Sequence, residues 1–110
     1  MEFIDSNIEA YSQSFSDPES ALLKELNRET HALILQPRML SGHLQGRFLS
    51  LISKILQPKL ILEIGTYTGY SALCLAEGLD EKGQLITIDI NEELETFARS
   101  FFNRSTYASQ

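Results

Sequence analysis

The chain has 110 residues, enough for one small domain with a modest core, and its 43% hydrophobic content is ordinary for a soluble globular protein. Nine Lys and Arg against fifteen Asp and Glu give a formal net charge of −6, which argues against a nucleic-acid binder and against a polybasic membrane patch. Cys74 is the only cysteine, so no internal disulfide can form, and no apolar run approaches the roughly 20 residues that cross a bilayer.

The acidic start, MEFIDSNIEAY, lacks the basic flank and apolar run of a signal peptide, and the chain is read as cytoplasmic. Asp17-Pro18-Glu19 predicts a helix start: Asp17 can accept from free backbone N–H groups, Pro18 suits the first turn and Glu19 complements the helix dipole. The helix is expected to run to about Leu35 and to stop at Pro37, with Leu22, Leu23, Leu26, Thr30 and Leu33 on its inner face. After a link from Arg38 to Gly42, a second helix is predicted with Leu44, Phe48, Leu51, Ile52 and Ile55 inward, ending at Gln57-Pro58.

Leu60 to Ile64 is a short apolar run of the kind found in parallel strands covered on both faces, and Gly65 to Gly69 must then turn. Small and apolar residues from about Tyr70 to Leu79 return to helix, and Glu81-Lys82-Gly83 turns again. The run QLITIDI makes a second strand with Asp89 near its carboxyl end. Asn91 then caps a last helix, with Leu94, Phe97, Ala98, Phe101 and Phe102 on its inner face. Strand, helix, strand, helix implies an α/β protein with parallel strands. Cys74, among Ala72, Leu73, Leu75 and Ala76, reads as core filling.

Ligands of open parallel sheets bind beyond the carboxyl ends of the strands, and here Glu63 and Asp89 both reach that edge, Asp89 lying 24 residues after Gly65. Gly65 and Gly69 allow positive φ or close approach of a ligand, and the helix start near Ser71 offers N–H groups to an anion. Asp89 can accept from the two vicinal hydroxyls of a ribose. The turn, Gly-Thr-Tyr-Thr-Gly, is neither G-x-G-x-x-G nor a P-loop, so a diphosphate is disfavoured. Glu63 points the same way, since a carboxylate there repels phosphate and suits an ammonium group. His31 and His43 have no second ligand at helical spacing, and no metal site is assigned.

The blocks LEIGTYTGYS, ITIDIN and RMLSGHLQGRFLSLI together resemble the catechol and caffeoyl-CoA O-methyltransferase family, matching in order over about Arg38 to Asn91. The resemblance implies an α/β fold made of N-terminal helices plus the first β-α-β-α units of a Rossmann-like class I methyltransferase parallel sheet. It also implies an O-methyltransferase using S-adenosylmethionine to methylate a hydroxyl of a small, aromatic acceptor. Glu63, Gly65, Thr66 and Tyr67 would line the methionine part, Ser71 would hold its carboxylate, Asp89 the ribose hydroxyls, and Ile90 would flank the adenine. Met39 and Ser41 match positions that close over the methyl-donor end.

Residues 1–58 are then an N-terminal helical segment serving the acceptor mouth or a homodimer contact, and 59–110 the first half of the cofactor-binding domain. The family's later strands, which carry its catalytic base and, in metal-dependent members, the ligands of a divalent cation such as Mg, have no counterpart here. The chain is accordingly expected to be an N-terminal piece of a longer protein, inactive alone, with its first strand incompletely covered. Two other functions are weighed: a nucleotide-dependent oxidoreductase, disfavoured by the missing third glycine and by Glu63, and a non-catalytic dimerisation module.

Overall fold

The computed structural model describes residues 4–34 and 39–110. Three helices precede the sheet. The first, α1 (Ser6–Ser14), was not foreseen: none of its residues is buried, and its apolar residues Ile8 and Tyr11 are exposed. It begins where the Asp5 carboxylate accepts from the Asn7 N–H at 2.8 Å.

The next helix, α2 (Ala21–Leu33), starts three residues later than a cap at Asp17 would place it. Proline disfavours helical backbone in the residue before it. The Asp17 carbonyl accepts from His43, and the Glu19 carboxylate accepts from the Tyr70 hydroxyl and from Asn27 Nδ2 of α2. Ser20 is the cap instead, its Oγ accepting from the Leu23 N–H at 3.2 Å. Leu23, Leu26 and Thr30 are buried as expected, whereas Leu33 is exposed. Ile34 is already extended, so the helix ends before Leu35; the expected stop at Pro37 and the link residue Arg38 lie outside the described residues.

The third helix, α3 (Gly42–Leu56), has the expected bounds and a different inner face. Gly46, Ser50 and Ser53 are buried, while Phe48, Leu51, Ile52 and Ile55 are exposed. Close approach to the following helix, α4 (Tyr70–Ala76), explains this choice. A Cβ on Gly46 would lie 2.7 Å from both Cys74 Sγ and the Tyr70 ring, and Ser53 Oγ donates to the Leu75 carbonyl. Large side chains cannot occupy that seam, so the apolar stripe turns away from it.

The sheet consists of β1 (Leu60–Ile64) and β2 (Gln84–Ile88), parallel, with Leu60 opposite Gln84 and Ile64 opposite Ile88. Parallel neighbours need a crossover, which α4 and the turn at residues 80–83 supply. Burial alternates along both strands: Ile61, Glu63, Leu85 and Thr87 are half-buried, and Leu60, Leu62, Ile64, Ile86 and Ile88 are exposed. Among the described residues, then, β1 is covered on one face rather than two. Asn91 Oδ1 accepts from the Glu93 N–H at 3.0 Å and caps a short 3-10 turn, Glu92–Leu94, that leads into α5 (Glu95–Phe102).

One buried cluster unites Leu23 and Leu26 of α2, Tyr70, Leu73 and Cys74 of α4, and Phe101 of α5. Burial pushes the Cys74 thiol up to about 12, an effect that the nearby Arg47 guanidinium only partly offsets. Reactivity follows the thiolate. Labelling with Ellman's reagent at about pH 8 is therefore expected to be at least tenfold slower, to order of magnitude, in the native protein than in urea. No helix among the described residues is long and apolar enough to cross a membrane.

Candidate functional site

The carboxyl ends of β1 and β2 lie side by side, and the Gly65 N–H donates to the Ile88 carbonyl at 2.7 Å, extending the ladder one step into the turn. The two glycines of this turn have different reasons. Gly65 has φ 99°, and a Cβ built on it meets nothing within 4 Å, so the space beside it is open to a ligand. Gly69 has φ 93°, but a Cβ there would lie 2.5 Å from the Phe102 ring. It allows α5 to pack against the turn and does not present backbone to a ligand.

Between them stands Tyr67 with φ 50°, a left-handed conformation that is uncommon for a bulky residue. Asp89 holds it there. The Asp89 carboxylate accepts from the Tyr67 N–H at 2.8 Å through Oδ2 and from the Asn91 N–H at 2.9 Å through Oδ1. These backbone donors, Asn91 first and Tyr67 second, hold its carboxyl below the usual aspartate range. A depressed carboxyl contributes its stabilisation above the ordinary value and loses it only as pH falls through the lowered one. Asp89 is thus charged throughout the neutral range, and each oxygen keeps acceptor capacity for a further hydroxyl.

Glu63 is engaged by neighbouring hydroxyls. Ser71 Oγ donates to its Oε2 at 2.5 Å and Thr87 Oγ1 to its Oε1 at 2.7 Å, while Thr66 Oγ1 lies 2.6 Å from Thr87 Oγ1. Ser71 therefore meets the Glu63 carboxylate. Thr87 was not singled out from the sequence; the signal was the strand period of two, which puts it on the face of β2 that meets Glu63. Thr68, buried in the same turn, is 3.2 Å from the Thr30 hydroxyl of α2. The turn is thereby braced from behind by the N-terminal helices.

Of the remaining candidates, Ile90 directly follows Asp89 and is 97% exposed, an aliphatic surface beside the carboxylate. Met39 is exposed and Ser41 precedes α3 without making a side-chain cap; no hydrogen bond among the described residues joins either to the Glu63 cluster. His31 Nδ1 lies 3.0 Å from the Asn27 carbonyl, and His43 faces the Asp17 carbonyl. Among the described residues no group of three His, Cys, Asp or Glu is placed to share a metal ion. Chemically, the edge presents one carboxylate beside hydroxyls, an open stretch of backbone at Gly65, and a second carboxylate suited to a diol.

Residues 12–110 match the family model described as O-methyltransferase. Catechol O-methyltransferase of Niastella koreensis is 38% identical over 66 residues, which are 60% of this chain and 30% of that enzyme. Caffeoyl-CoA O-methyltransferase 1 of Zea mays is 42% identical over 77 residues, 70% of this chain and 29% of that enzyme. An O-methyltransferase of Bacillus cereus solved in complex with S-adenosylhomocysteine (SAH) superposes with a TM-score of 0.85 at 32% identity, over 94% of this chain and 47% of that one. TomG of Streptomyces achromogenes, solved with S-adenosylmethionine, gives 0.83 at 28% identity, over 94% and 46%. The chain spans less than a third of these curated relatives and about half of these structures. Its helices and β-α-β-α order correspond to the first units of the Rossmann-like class I methyltransferase sheet.

Proposed function

The chain belongs to the O-methyltransferase family, and from that membership we propose that it forms the cofactor-binding part of an enzyme moving a methyl group from S-adenosylmethionine to a hydroxyl of a small, aromatic acceptor. One observation carries the reading: Glu63, the open left-handed Gly65 and Asp89 converge on a single sheet edge, in an order that suits an amino acid at one end and a ribose at the other.

The donor set fits that cofactor. Asp89 would accept from the ribose hydroxyls while keeping the Tyr67 and Asn91 N–H bonds that orient it. Ile90 would cover one side of the adenine. Gly65, Thr66 and Tyr67 would line the methionine part. Glu63 would take the ammonium and Ser71 the carboxylate, the Ser71–Glu63 hydrogen bond being exchanged for one bond from each to the ligand. Met39 and Ser41 would border the methyl-donor end. When bound, S-adenosylmethionine supplies a methyl carbon activated by a sulfonium; the contribution of these residues is alignment.

In the same reading no residue of this chain is assigned as acceptor base or as ligand of a divalent cation such as Mg, and the enzyme works in the cytoplasm. Residues 1–58 serve an acceptor wall or a homodimer contact; the exposed Phe48, Leu51 and Ile55 of α3 support a covering role for that segment. Calorimetry on the whole protein tests the assignment: SAH is expected to bind at submillimolar concentration and NADH not. Binding of NADH in place of SAH overturns it in favour of an oxidoreductase.

A further inference from the structure

The register of the sheet pairs Glu63 directly with Thr87, and in parallel strands paired side chains share a face. Hydrogen-bond arithmetic then fixes the direction of every proton in the cluster. An ionised carboxylate only accepts, and a hydroxyl has one proton to give. Thr87 gives its proton to Glu63 Oε1, so across the 2.6 Å contact Thr66 must be the donor to Thr87. Ser71 gives its proton to Glu63 Oε2. The order is Thr66 to Thr87 to Glu63, with Ser71 entering from the other side.

The two sides are not equivalent. Ser71 sits at the start of α4 and is the group that the proposed reading sends to the ligand carboxylate. Thr87 lies within β2, and its hydroxyl faces the other carboxylate oxygen. Once Ser71 is engaged elsewhere, Thr87 is the neutral donor that keeps Glu63 in its rotamer, and through Thr66 it ties that rotamer to the turn backbone. Groups held by a regular strand are held more closely than groups on loops.

Resting on the proposed cofactor reading, we propose that Thr87 is a positioning residue: from the neighbouring strand it fixes the Glu63 carboxylate for the ammonium of the ligand's amino-acid end. It acts on that end alone and leaves recognition of the nucleoside to Asp89. The role goes beyond the residues expected to touch the cofactor, since Thr87 works through Glu63.

Two probes separate this from a merely structural role: SAH, and 5′-methylthioadenosine, the same thioether nucleoside without the amino-acid end. Titrated into the whole protein, Thr87→Val is expected to weaken SAH about tenfold, the effect of one lost hydrogen bond to a charged group. Methylthioadenosine affinity should be unchanged, and Thr87→Ser should restore most of the SAH affinity. If valine's second methyl disturbs the fold, Thr87→Ala is expected to give the same split. Equal losses for both probes, or undiminished SAH binding, overturn the positioning role and leave the cofactor reading standing. Wild-type protein that binds neither probe overturns both.

Discussion

Asp89→Ala is expected to weaken SAH binding to the whole protein by roughly 30- to 150-fold, and methylthioadenosine by a similar factor. The carboxylate does two things, and alanine removes both. It would accept the ribose hydroxyls, each charge-assisted bond contributing about 1.5 kcal/mol, so that about 2–3 kcal/mol goes directly. It also accepts from the Tyr67 N–H, and alanine removes that support for a tyrosine at φ 50°. The turn is then free to relax away from the ligand. Asp89→Asn keeps the shape but sets an amide NH2 against one of the two backbone donors, Tyr67 or Asn91, and is expected to lose most of the same affinity. Calorimetry with both probes measures this, and loss of SAH affinity alone would contradict the ribose role.

Gly78→Ala is the substitution expected to cost most stability. A Cβ on Gly78 would lie 2.2 Å from Ser53 C, 2.3 Å from Lys54 N and 2.5 Å from Ser53 O, all backbone atoms of α3. A flexible side chain can swing aside, but a helix backbone has to move as a body. Separating α3 from α4 also strains the Ser53 to Leu75 hydrogen bond and opens the seam at Gly46. Overpacking of this kind costs about 3 kcal/mol or more. The measurement is the urea midpoint at unchanged slope. Gly42→Ala is the control: φ is 83° and nothing lies within 4 Å of its Cβ, so only backbone strain of about 1 kcal/mol is at stake. Equal midpoints for the two variants would refute the close-packing account.

The strands, α3, α4 and α5 were legible in the sequence because period and punctuation agree there: Pro58 before an apolar run, Gly65 and Gly69 after it, Asn91 after the next. The two carboxylates were legible as well, since a charge at the end of an apolar strand rarely lacks a reason. What escaped depends on tertiary partners. Asp17 looks a better cap than Ser20 until the fold shows Ser20 Oγ accepting from the Leu23 N–H. The stripe of Phe48, Leu51, Ile52 and Ile55 looks like an inner face until the small residues of α3 prove to be the ones that α4 approaches. The resemblance gives Ser71 a ligand role, and only the folded chain reveals that its hydroxyl meets the Glu63 carboxylate that Thr87 also contacts. Helix α1 had only a thin apolar pattern, Ile8 and Tyr11 between Ile4 and Phe15, and buries none of it.

The buried hydroxyl pair Thr30 and Thr68, with the Glu19 carboxylate on the Tyr70 hydroxyl, connects α2 to both ends of the segment that follows Tyr67. Local opening of α2 would expose these polar groups and release the turn in the same event. Amide hydrogen exchange in the turn should therefore follow that of α2, with one opening free energy for both. In folding terms α2 and the glycine turn are then expected to open as one unit, so a sequence change far from the sheet edge, at Glu19 or Thr30, should reach ligand affinity by altering how often the site is assembled at all.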